Sequence, residues 1–370
     1  MDFTHTETRR MLADTIDRYL RDKYPLAARV EAGNSEQGFQ PAQYEALAEL
    51  GVIAALFPED QGGFGGEGFD ISVAFEEMGK KLVNEPVMEN ALIPGPILAA
   101  AGMDEAVENI IAGGARYALA AEEPQALYDL SHVETTAEKS GDGYSLSGKK
   151  TVVRAANGCD GYIVSARTSG GTNDTDGISL FLVAPDQVSA RDYTTVDGGR
   201  ASELTLEGAE GTLLGDEGGA WPALQAASDR AILALGSEAL GIMQTIAAMT
   251  IEYLRTRKQF GVVIGKFQAL QHRTAEMLIE IEQTRSAVIN AANAMALGAE
   301  ERARIMAATK YTIGKAGRRV AEESIQLHGG IGMTWEYDLG HFAKRLIMID
   351  HEWGDQDFHL SRFVALGRAA

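Results

Sequence analysis

The feature that most constrains the fold is a change of hydrophobic periodicity along the chain, from helical to strand-like and back to helical. In the first third, Leu12, Ile16 and Leu20 recur at four-residue spacing, which is the period of one helix face. The same period returns in three long C-terminal segments, at 222–256, 266–297 and 300–327. Long helices with short connections predict a helical bundle in the last third.

The middle of the chain has a different pattern. Short apolar runs at Tyr144–Ser147, Tyr162–Ala166 and Ile178–Val183 are separated by Gly, Asp and Asn, which predicts strands that do not alternate with helices. No Gly-x-Gly-x-x-Gly turn follows a strand, so a dinucleotide-binding βαβ fold is not indicated. The predicted fold class is therefore α+β, mostly α. We place an N-terminal helical domain at 1–115, a central β domain at 116–220 and a C-terminal helical bundle at 221–370.

Charge restricts the partners. The chain has 370 residues and a formal net charge of -20, which disfavours nucleic acid and anionic membrane surfaces as partners. An anionic ligand therefore has to be held by a local basic group or by backbone N–H groups.

Other sequence features point to a cytoplasmic protein. The single cysteine, Cys159, excludes an intrachain disulfide and is compatible with a reducing compartment. The segment Met1–Glu7 has no signal-peptide pattern, and no uninterrupted apolar run reaches the length of about 18 residues that a membrane span needs. The sequence has no histidine pair at helical spacing and no cysteine cluster, so it predicts no metal site.

Two C-terminal segments are candidates for binding an anionic cofactor. Arg257–Gly261 reads Arg-Lys-Gln-Phe-Gly after a long apolar helix, and its simplest interpretation is a helix end in which cations meet the helix dipole and glycine stops the helix. Gln326–Gly332 reads Gln-Leu-His-Gly-Gly-Ile-Gly, a loop in which missing side chains let backbone N–H groups approach a phosphate. A plain turn is the alternative. Together, a guanidinium and a glycine loop form a plausible pyrophosphate site.

A third glycine-rich segment, Pro58–Gly66, contains four glycines. No Lys followed by Ser or Thr completes a phosphate-binding loop there. We therefore interpret it as a turn between packed helices.

The two C-terminal motifs, with Ile264–Gln268 and Glu336-Tyr337, resemble those of the acyl-CoA dehydrogenase family, and the similarity extends over essentially the whole chain. This resemblance implies an N-terminal helical domain, a central β-barrel-like domain and a C-terminal four-helix bundle. It also implies FAD as cofactor, an acyl-CoA substrate, an electron-transfer flavoprotein as partner, and a tetramer in which these motifs bind the ADP half of FAD across a subunit interface. The implied cofactor-binding residues are Arg257, Gln259, Phe260, Gln268, Gln326, Gly329 and Gly330.

The tail from His341 to Leu360 is similar to a bacterial subgroup represented by the pimeloyl-CoA dehydrogenase small subunit and by steroid-degrading dehydrogenases. Members of that subgroup often work as heteromers of two polypeptides. Histidines His272 and His328 lie inside the family-like segments, where the resemblance implies that they line the cofactor channel or pack structurally.

The sequence departs from the family where the flavin ring would lie. The usual Thr-Glu-Pro-x-Ala-Gly-Ser-Asp stretch is replaced by Ala121–Asp129, without the Gly-Ser pair, and the usual Trp-Ile-Thr/Ser is replaced within Thr151–Arg154. An aromatic platform and a hydroxyl donor are both missing. By residue type, this chain is poorly equipped to hold the isoalloxazine ring in its own β domain.

The catalytic base is also altered. The family's Glu-Gly-Thr aligns with Trp353–Asp355, and the nearest carboxylate is Glu352, one position away. The preferred candidate is Glu238, because it lies on an apolar stripe of a helix without a helical cation, where burial favours a proton acceptor. The alternative is that Glu238 pairs with a distant arginine or lies at an interface. Asp229 is a further candidate.

Three functional hypotheses remain open. The chain is one subunit of a heteromeric acyl-CoA dehydrogenase that forms a trans-2-enoyl-CoA, a self-sufficient homotetrameric acyl-CoA dehydrogenase, or a non-catalytic structural partner subunit. The damaged ring site favours the first, and the retained Arg257 and glycine loop argue against the third. The small residues Ala231, Ala234 and Gly236 are compatible with a wide pocket for a bulky acyl group.

Overall fold

The computed structural model describes residues 5–141 and 143–369. Its contacts divide the chain into two compact units. The first comprises the chain up to Ala28, the segment Glu67–Val83 and everything from Ile232 onward, and the second comprises Arg29–Gly66 and Asn84–Ala231. The predicted order of helical, β and helical parts is confirmed. The boundaries of the three predicted domains remain a prediction.

The helices frame both ends of the chain. They are α1 (Glu7–Lys23), α2 (Leu26–Gly33), α3 (Pro41–Glu49), α4 (Gly68–Lys80), α5 (Pro94–Ala100), α6 (Asp104–Ile111), α7 (Trp221–Thr256), α8 (Gln268–Ala294), α9 (Ala299–His328), α10 (Leu339–Asp350) and α11 (Gln356–Ala369).

The strands fill the middle and one short hairpin. They are β1 (Tyr117–Ala120), β2 (Thr136–Ser140), β3 (Gly143–Arg154), β4 (Gly161–Arg167), β5 (Ile178–Val183), β6 (Ser189–Thr194), β7 (Arg200–Leu214), β8 (Lys258–Gln259) and β9 (Val262–Val263).

In the first unit, α4 and α7 approach closely because glycines lie at their contact. A Cβ on Gly79 would stand 2.2 Å from the carbonyl oxygen of Glu238, and a Cβ on Gly241 would stand 2.1 Å from that of Glu76. Interiors are close-packed, so a larger residue at either position would force the helices apart. This approach fixes the backbone from which the Glu238 side chain projects.

In the C-terminal bundle of the first unit, α8, α10 and α11 pack on α9, and α7 lies against α8 and α9 at Gly236. Buried Met277, Ile281 and Val288 repeat along one face of α8, as expected for a core-facing helix. A Cβ on Gly236 of α7 would lie 2.6 Å from the side chain of Ile313 and 3.4 Å from that of Val288. The predicted four-helix bundle is confirmed.

The second unit contains a seven-stranded sheet with the order β1-β4-β2-β3-β7-β5, and β6 pairs with β7. Because β4 also pairs with β5, the strands β4-β2-β3-β7-β5 close on themselves. Leu146, Val164, Phe181, Leu204 and Leu206 belong to the buried core of this sheet. The predicted barrel-like β domain is confirmed.

The glycine-rich segment Pro58–Gly66 is a turn, as the sequence indicated. It contains a short helical turn at Glu59–Gln61 and then Gly62 with φ 87°, and the N–H of Gly63 donates to the carbonyl of Pro58 at 3.0 Å. A Cβ on Gly63 would lie 2.1 Å from the carbonyl oxygen of Phe57. The glycines therefore serve close backbone packing.

Within the described residues, α7 is the one helix that is long and apolar enough to cross a membrane. Its most apolar window is 78% buried inside the protein. That degree of burial is typical of a core helix.

Candidate functional site

The segment Arg257–Gly261 lies beyond α7 and forms a hairpin, which corrects the interpretation as a helix end. Helix α7 ends at Thr256, β8 and β9 pair, and the two residues between them, Phe260 and Gly261, have φ of 55° and 80°. Two consecutive positive φ values define the tight turn that favours hairpins. The turn exposes 90% of the Phe260 side chain. Gly261 is therefore a turn residue rather than a helix stop.

The glycine loop follows α9 directly. The helix ends at His328, and Gly329 has φ 67°. A Cβ at Gly329 or Gly330 would meet nothing within 4 Å. The backbone at both glycines is therefore open to a ligand or a partner chain, which fits the close approach that a pyrophosphate makes to N–H groups.

An aromatic stack joins the two motifs. The rings of Tyr253 and His328 are stacked at 4.6 Å with an angle of 27° between them, and the ring of Tyr337 lies 5.2 Å from that of His328. The N–H of Arg257 donates to the carbonyl of Tyr253 at 2.8 Å. Arg257, at the start of the hairpin, therefore lies one helical turn after Tyr253, whose ring stacks on His328 beside the glycine loop.

His328 is a fixed part of this stack. Its Nδ1 donates to the carbonyl of Ser324 at 2.8 Å, because a carbonyl can only accept a hydrogen bond. Burial lowers the pKa of His328, so the ring is neutral near pH 7. His272, in contrast, is exposed.

The predicted cofactor-binding residues share one property, which is exposure to solvent. They are Arg257, Gln259, Phe260, Gln268, Gln326, Gly329 and Gly330. Exposed cationic, amide and glycine groups fit the ADP half of FAD, which needs phosphate neutralisation and hydrogen bonds to ribose and adenine. Their binding role remains a prediction.

The first part of the expected ring site is built around a buried ion pair. The Glu123 carboxylate accepts hydrogen bonds from Lys150 Nζ at 2.7 Å and from the N–H groups of Glu134 at 2.7 Å and Thr135 at 3.1 Å. Lys150 Nζ also donates to Ser165 Oγ at 2.9 Å. Burial lowers the pKa of Lys150 to about 8. Burial acts to raise the pKa of Glu123, but Lys150 and the N–H donors outweigh it, so that pKa is lowered.

The backbone beside this ion pair is strained at three residues other than glycine. Leu127, Tyr128 and Val152 have φ of 45°, 75° and 50°, a region that costs about 1–3 kcal/mol for such residues. The N–H of Thr151 donates to the carbonyl of Glu122 at 2.9 Å, so the two strained segments are linked. Unusual backbone conformations therefore occur where the resemblance places the flavin-ring residues.

The side chains at these positions do not fit a flavin ring. Leu127 is 81% exposed and Val152 is 43% exposed, so aliphatic groups project where the resemblance implies glycine and tryptophan. Neither side chain offers a hydrogen bond to the polar edge of an isoalloxazine or a flat aromatic surface for its face. The ADP half of FAD fits this chain, and the ring half does not.

Glu238 is paired with an arginine from another helix of the first unit. Arg345 on α10 donates from Nε to Oε1 of Glu238 at 2.6 Å and from Nη2 to Oε2 at 2.8 Å, a bidentate geometry that is strong for this pair type. Arg345 Nη1 also donates to Glu352. The sequence indicated a carboxylate with no cation nearby on its own helix. In the structure, its cation comes from a distant part of the chain. This is the structural alternative stated above, and the role of Glu238 as base remains a prediction.

The turn that carries Glu352 is held by two buried donors. Lys310 Nζ donates to the carbonyls of Asp350 at 2.9 Å and Gly354 at 2.5 Å, and His359 Nε2 donates to the carbonyl of Trp353 at 2.7 Å. Burial lowers the pKa of Lys310 to about 8 and that of His359 to about 3. Asp350 through Gly354 is therefore a fixed segment, in which Trp353 has φ 58°.

Asp229, the remaining candidate base, lies nine positions before Glu238 on α7. Asp229 is 1% exposed and belongs to the second unit. Among the candidate bases, the structure brings together Glu238 and Glu352, through their shared Arg345.

Three residues around these carboxylates were missed from the sequence. They are Lys310, Arg345 and His359, each buried within the first unit. One signal was available for Arg345, because it lies in an apolar helix between Phe342, Leu346 and Ile349, and a cation on such a face requires an anionic partner. Nothing in the local pattern of the chain identifies that partner as Glu238.

The fold and this arrangement place the chain in a class of oxidoreductases that act on acyl-CoA. Models of the acyl-CoA dehydrogenase N-terminal, middle and C-terminal domains match residues 6–116, 118–209 and 221–359. The chain belongs to the acyl-CoA dehydrogenase family.

Individual relatives agree with this assignment. The chain is 31% identical to acyl-CoA dehydrogenase IpdE2 of Mycobacterium tuberculosis over 344 residues, which cover 92% of each protein. The solved Tcur3481–Tcur3483 steroid acyl-CoA dehydrogenase is 28% identical with a TM-score of 0.89, and the match covers 98% of this chain and 99% of that one. The ChsE4–ChsE5 complex of Mycobacterium tuberculosis, at 24% identity and a TM-score of 0.90 over 100% of both chains, shows the same fold.

Proposed function

We propose that this chain is one subunit of a heteromeric, FAD-dependent acyl-CoA dehydrogenase that converts an acyl-CoA thioester to the trans-2-enoyl-CoA. In this assembly, the chain provides the groups that bind the ADP half of FAD, and a second polypeptide provides the site for the flavin ring. The name of the similar Tcur3481–Tcur3483 enzyme, which joins two polypeptides, supports this arrangement.

The observation that carries the proposal is the contrast between the two parts of the expected FAD site. Arg257, Gly329 and Gly330 are exposed and open to a ligand. Leu127 and Val152 present aliphatic groups where the resemblance implies a glycine and the aromatic face of a tryptophan. A chain that used FAD alone would need both halves, whereas a chain that completes its partner's site needs only the first.

The chemistry divides accordingly. Bound FAD supplies the acceptor for the hydride that leaves the β-carbon of the acyl group. In this chain, the Arg257 guanidinium would neutralise the pyrophosphate, the N–H groups of Gly329 and Gly330 would hold it, and Phe260 with the nearby glutamines would cover the nucleoside.

A base must also take the α-proton. Both carboxylate oxygens of Glu238 accept hydrogen bonds from Arg345, which also binds Glu352, and this engagement favours a base on the partner polypeptide. The self-sufficient homotetramer is the second candidate, because Glu238 and Glu352 place two buried carboxylates in this chain. In both cases we propose an electron-transfer flavoprotein as the electron acceptor and the cytoplasm as the location.

The test compares the chain purified alone with the chain co-expressed with a candidate partner. We expect a colourless protein alone and a flavin spectrum, bleached by acyl-CoA, only for the complex. Near-full flavin occupancy with substrate-dependent bleaching of the chain alone would exclude the heteromer and support the homotetramer.

Single variants test the residues. Arg257→Ala should weaken FAD binding by the complex about tenfold or more, whereas Arg255→Ala, an exposed cation on the last turn of α7, is the matched control. Unchanged FAD affinity in Arg257→Ala would contradict the cofactor assignment. Glu238→Gln tests the base, because lost bleaching with bound FAD would assign the proton transfer to this chain.

A further inference from the structure

The strand that carries Val152 ends in an arginine whose side chain is held inside the second unit. Arg154 is the last residue of β3, and its side chain is only 14% exposed. Its Nε lies 3.6 Å from Oε1 of Glu89, and its Nη2 lies 3.6 Å from Oδ2 of Asp197. The side chains of these two acids are 16% and 2% exposed. The guanidinium is therefore shared by two largely buried carboxylates.

The two carboxylates come from different parts of the second unit. Glu89 lies in the short helical turn Met88–Leu92 before α5, and Asp197 lies in the connection between β6 and β7. A Cβ on Gly199 would stand 3.1 Å from Arg154 Nη2, so the guanidinium is closely packed on that connection. Arg154 thus joins the end of β3 to a helical turn and to a turn of the sheet, and we call this set of ion pairs the Arg154 bridge.

Hydrogen bonds beside Arg154 reinforce the bridge. Asn90, which is fully buried, donates from Nδ2 to the carbonyl of Ala155 at 3.2 Å, and the N–H of Ala155 donates to the carbonyl of Arg200 at 2.9 Å. Ala155 has φ 48° and Val152 has φ 50°, a region that is costly for residues other than glycine. The backbone on both sides of Arg154 is therefore held in an unusual conformation by the surrounding structure.

Arg154 also stands where the family motif has a hydroxyl. Val152 stands where the resemblance implies tryptophan, and the motif has Thr or Ser two residues later. In this chain the side chain at that position is engaged with Glu89 and Asp197. A planar ring that rests on residue 152 gains no hydrogen bond from residue 154 unless the guanidinium leaves both carboxylates, and separating a largely buried cation from its anions is costly.

We propose that Arg154 excludes a flavin ring from the β domain of this chain. This inference rests on the proposed function and specifies the residue that makes the FAD site one-sided. The loss of the family's glycine, serine and tryptophan removes contacts that a ring would make. The Arg154 bridge adds an obstacle that remains when those three residues are put back.

The test uses the chain alone and riboflavin, which has the flavin ring but not the ADP half of FAD. The variant Leu127→Gly, Tyr128→Ser, Val152→Trp, called the restored chain, supplies the family's three residues and keeps Arg154. Adding Arg154→Thr to the restored chain should lower the dissociation constant for riboflavin about tenfold or more, measured by the change in riboflavin fluorescence. Adding Arg191→Thr instead, at an exposed cation on β6 of the same unit, is the matched control and should leave the constant unchanged.

A second variant and a second measurement guard against a loss of folding. Arg154→Thr takes a cation away from two carboxylates, so a companion variant adds Asp197→Asn, which removes the more buried of the two charges and should bind riboflavin as tightly. The bridge itself is tested by amide hydrogen exchange in the otherwise wild-type chain. Arg154→Thr should speed exchange in Met88–Leu92 about tenfold or more, whereas Arg191→Thr should not. Unchanged exchange in Arg154→Thr would show that the bridge does not hold this turn, and it would overturn the inference.

Riboflavin binding separates this inference from the proposed function. If the complex has no dehydrogenase activity, the proposed function fails, whereas tighter riboflavin binding after Arg154→Thr still supports the exclusion. If the complex is active and the restored chain binds riboflavin equally well with and without Arg154→Thr, in variants that unfold at similar urea concentrations, the role of Arg154 is wrong and the proposed function stands.

Discussion

Replacing Arg345 by methionine should destabilise the protein strongly, because it leaves two buried carboxylates without their cation. The side chains of Arg345, Glu238 and Glu352 are 9%, 12% and 4% exposed. Arg345 makes two hydrogen bonds to Glu238 and one to Glu352. Breaking a buried pair by removing one partner costs about 3–5 kcal/mol, and the second carboxylate places Arg345→Met at the upper end of that range.

Urea unfolding at pH 7, followed by circular dichroism, measures this cost. The triple variant Glu238→Gln, Arg345→Met, Glu352→Gln removes all three charges, and it should recover most of the lost stability, since neutral replacement of a buried ion cluster is often close to neutral. Lys344→Met, which removes a neighbouring cation stacked on Trp335 at 4.0 Å, is the control. A loss below about 1 kcal/mol for Arg345→Met, typical of an exposed pair, would refute the argument, as would a triple variant no more stable than the single one.

Three further changes test other parts of the structure. Leu127→Gly should stabilise the protein by up to about 1 kcal/mol in urea unfolding, because glycine adopts a φ of 45° without strain and the exposed side chain buries little. The pKa of His359 is depressed from 6.5 to about 3, so the unfolded state binds its proton first as pH falls. Between pH 7 and pH 5 the free energy of unfolding of the wild type should therefore fall by about 2 kcal/mol, and that of His359→Gln should not show this loss. Gly79→Ala should cost about 1–3 kcal/mol by forcing α4 from α7, whereas Gly298→Ala, where a Cβ meets nothing within 4 Å, should change the unfolding midpoint little.

Much of the fold could be predicted from the sequence, because periodicity reports which face of an element is buried. The three long C-terminal segments predicted at 222–256, 266–297 and 300–327 correspond to α7, α8 and α9. The closure of the sheet could not be read in the same way, since the pairing of β4 with β5 depends on contacts between distant strands. The hairpin that follows α7 was missed, because cations and glycine fit both a helix end and a hairpin turn.

The site was predictable to the extent that its residues lie together in the chain. The exposed Arg257 hairpin and the Gly329 loop are local motifs, and the sequence displays them directly. The partner of Glu238 is 107 positions away, and the hydrophobic periodicity of α7 gives no information about the side chains of α10. Polar contacts between helices that are distant in sequence therefore cannot be predicted from the sequence and have to be seen in a structure.

The segments of the two units alternate along the chain, and this order has a consequence for synthesis on the ribosome. The second unit is complete once Ala231 has been made, but α1 and α4 belong to a unit whose remaining part begins at Ile232. The apolar side chains of α4, such as Ile71, Phe75 and Met78, therefore lack their final packing while more than a third of the polypeptide is still to be translated. At about 5–20 residues per second, that interval lasts many seconds, in which a chaperone or the partner subunit has access to this helix.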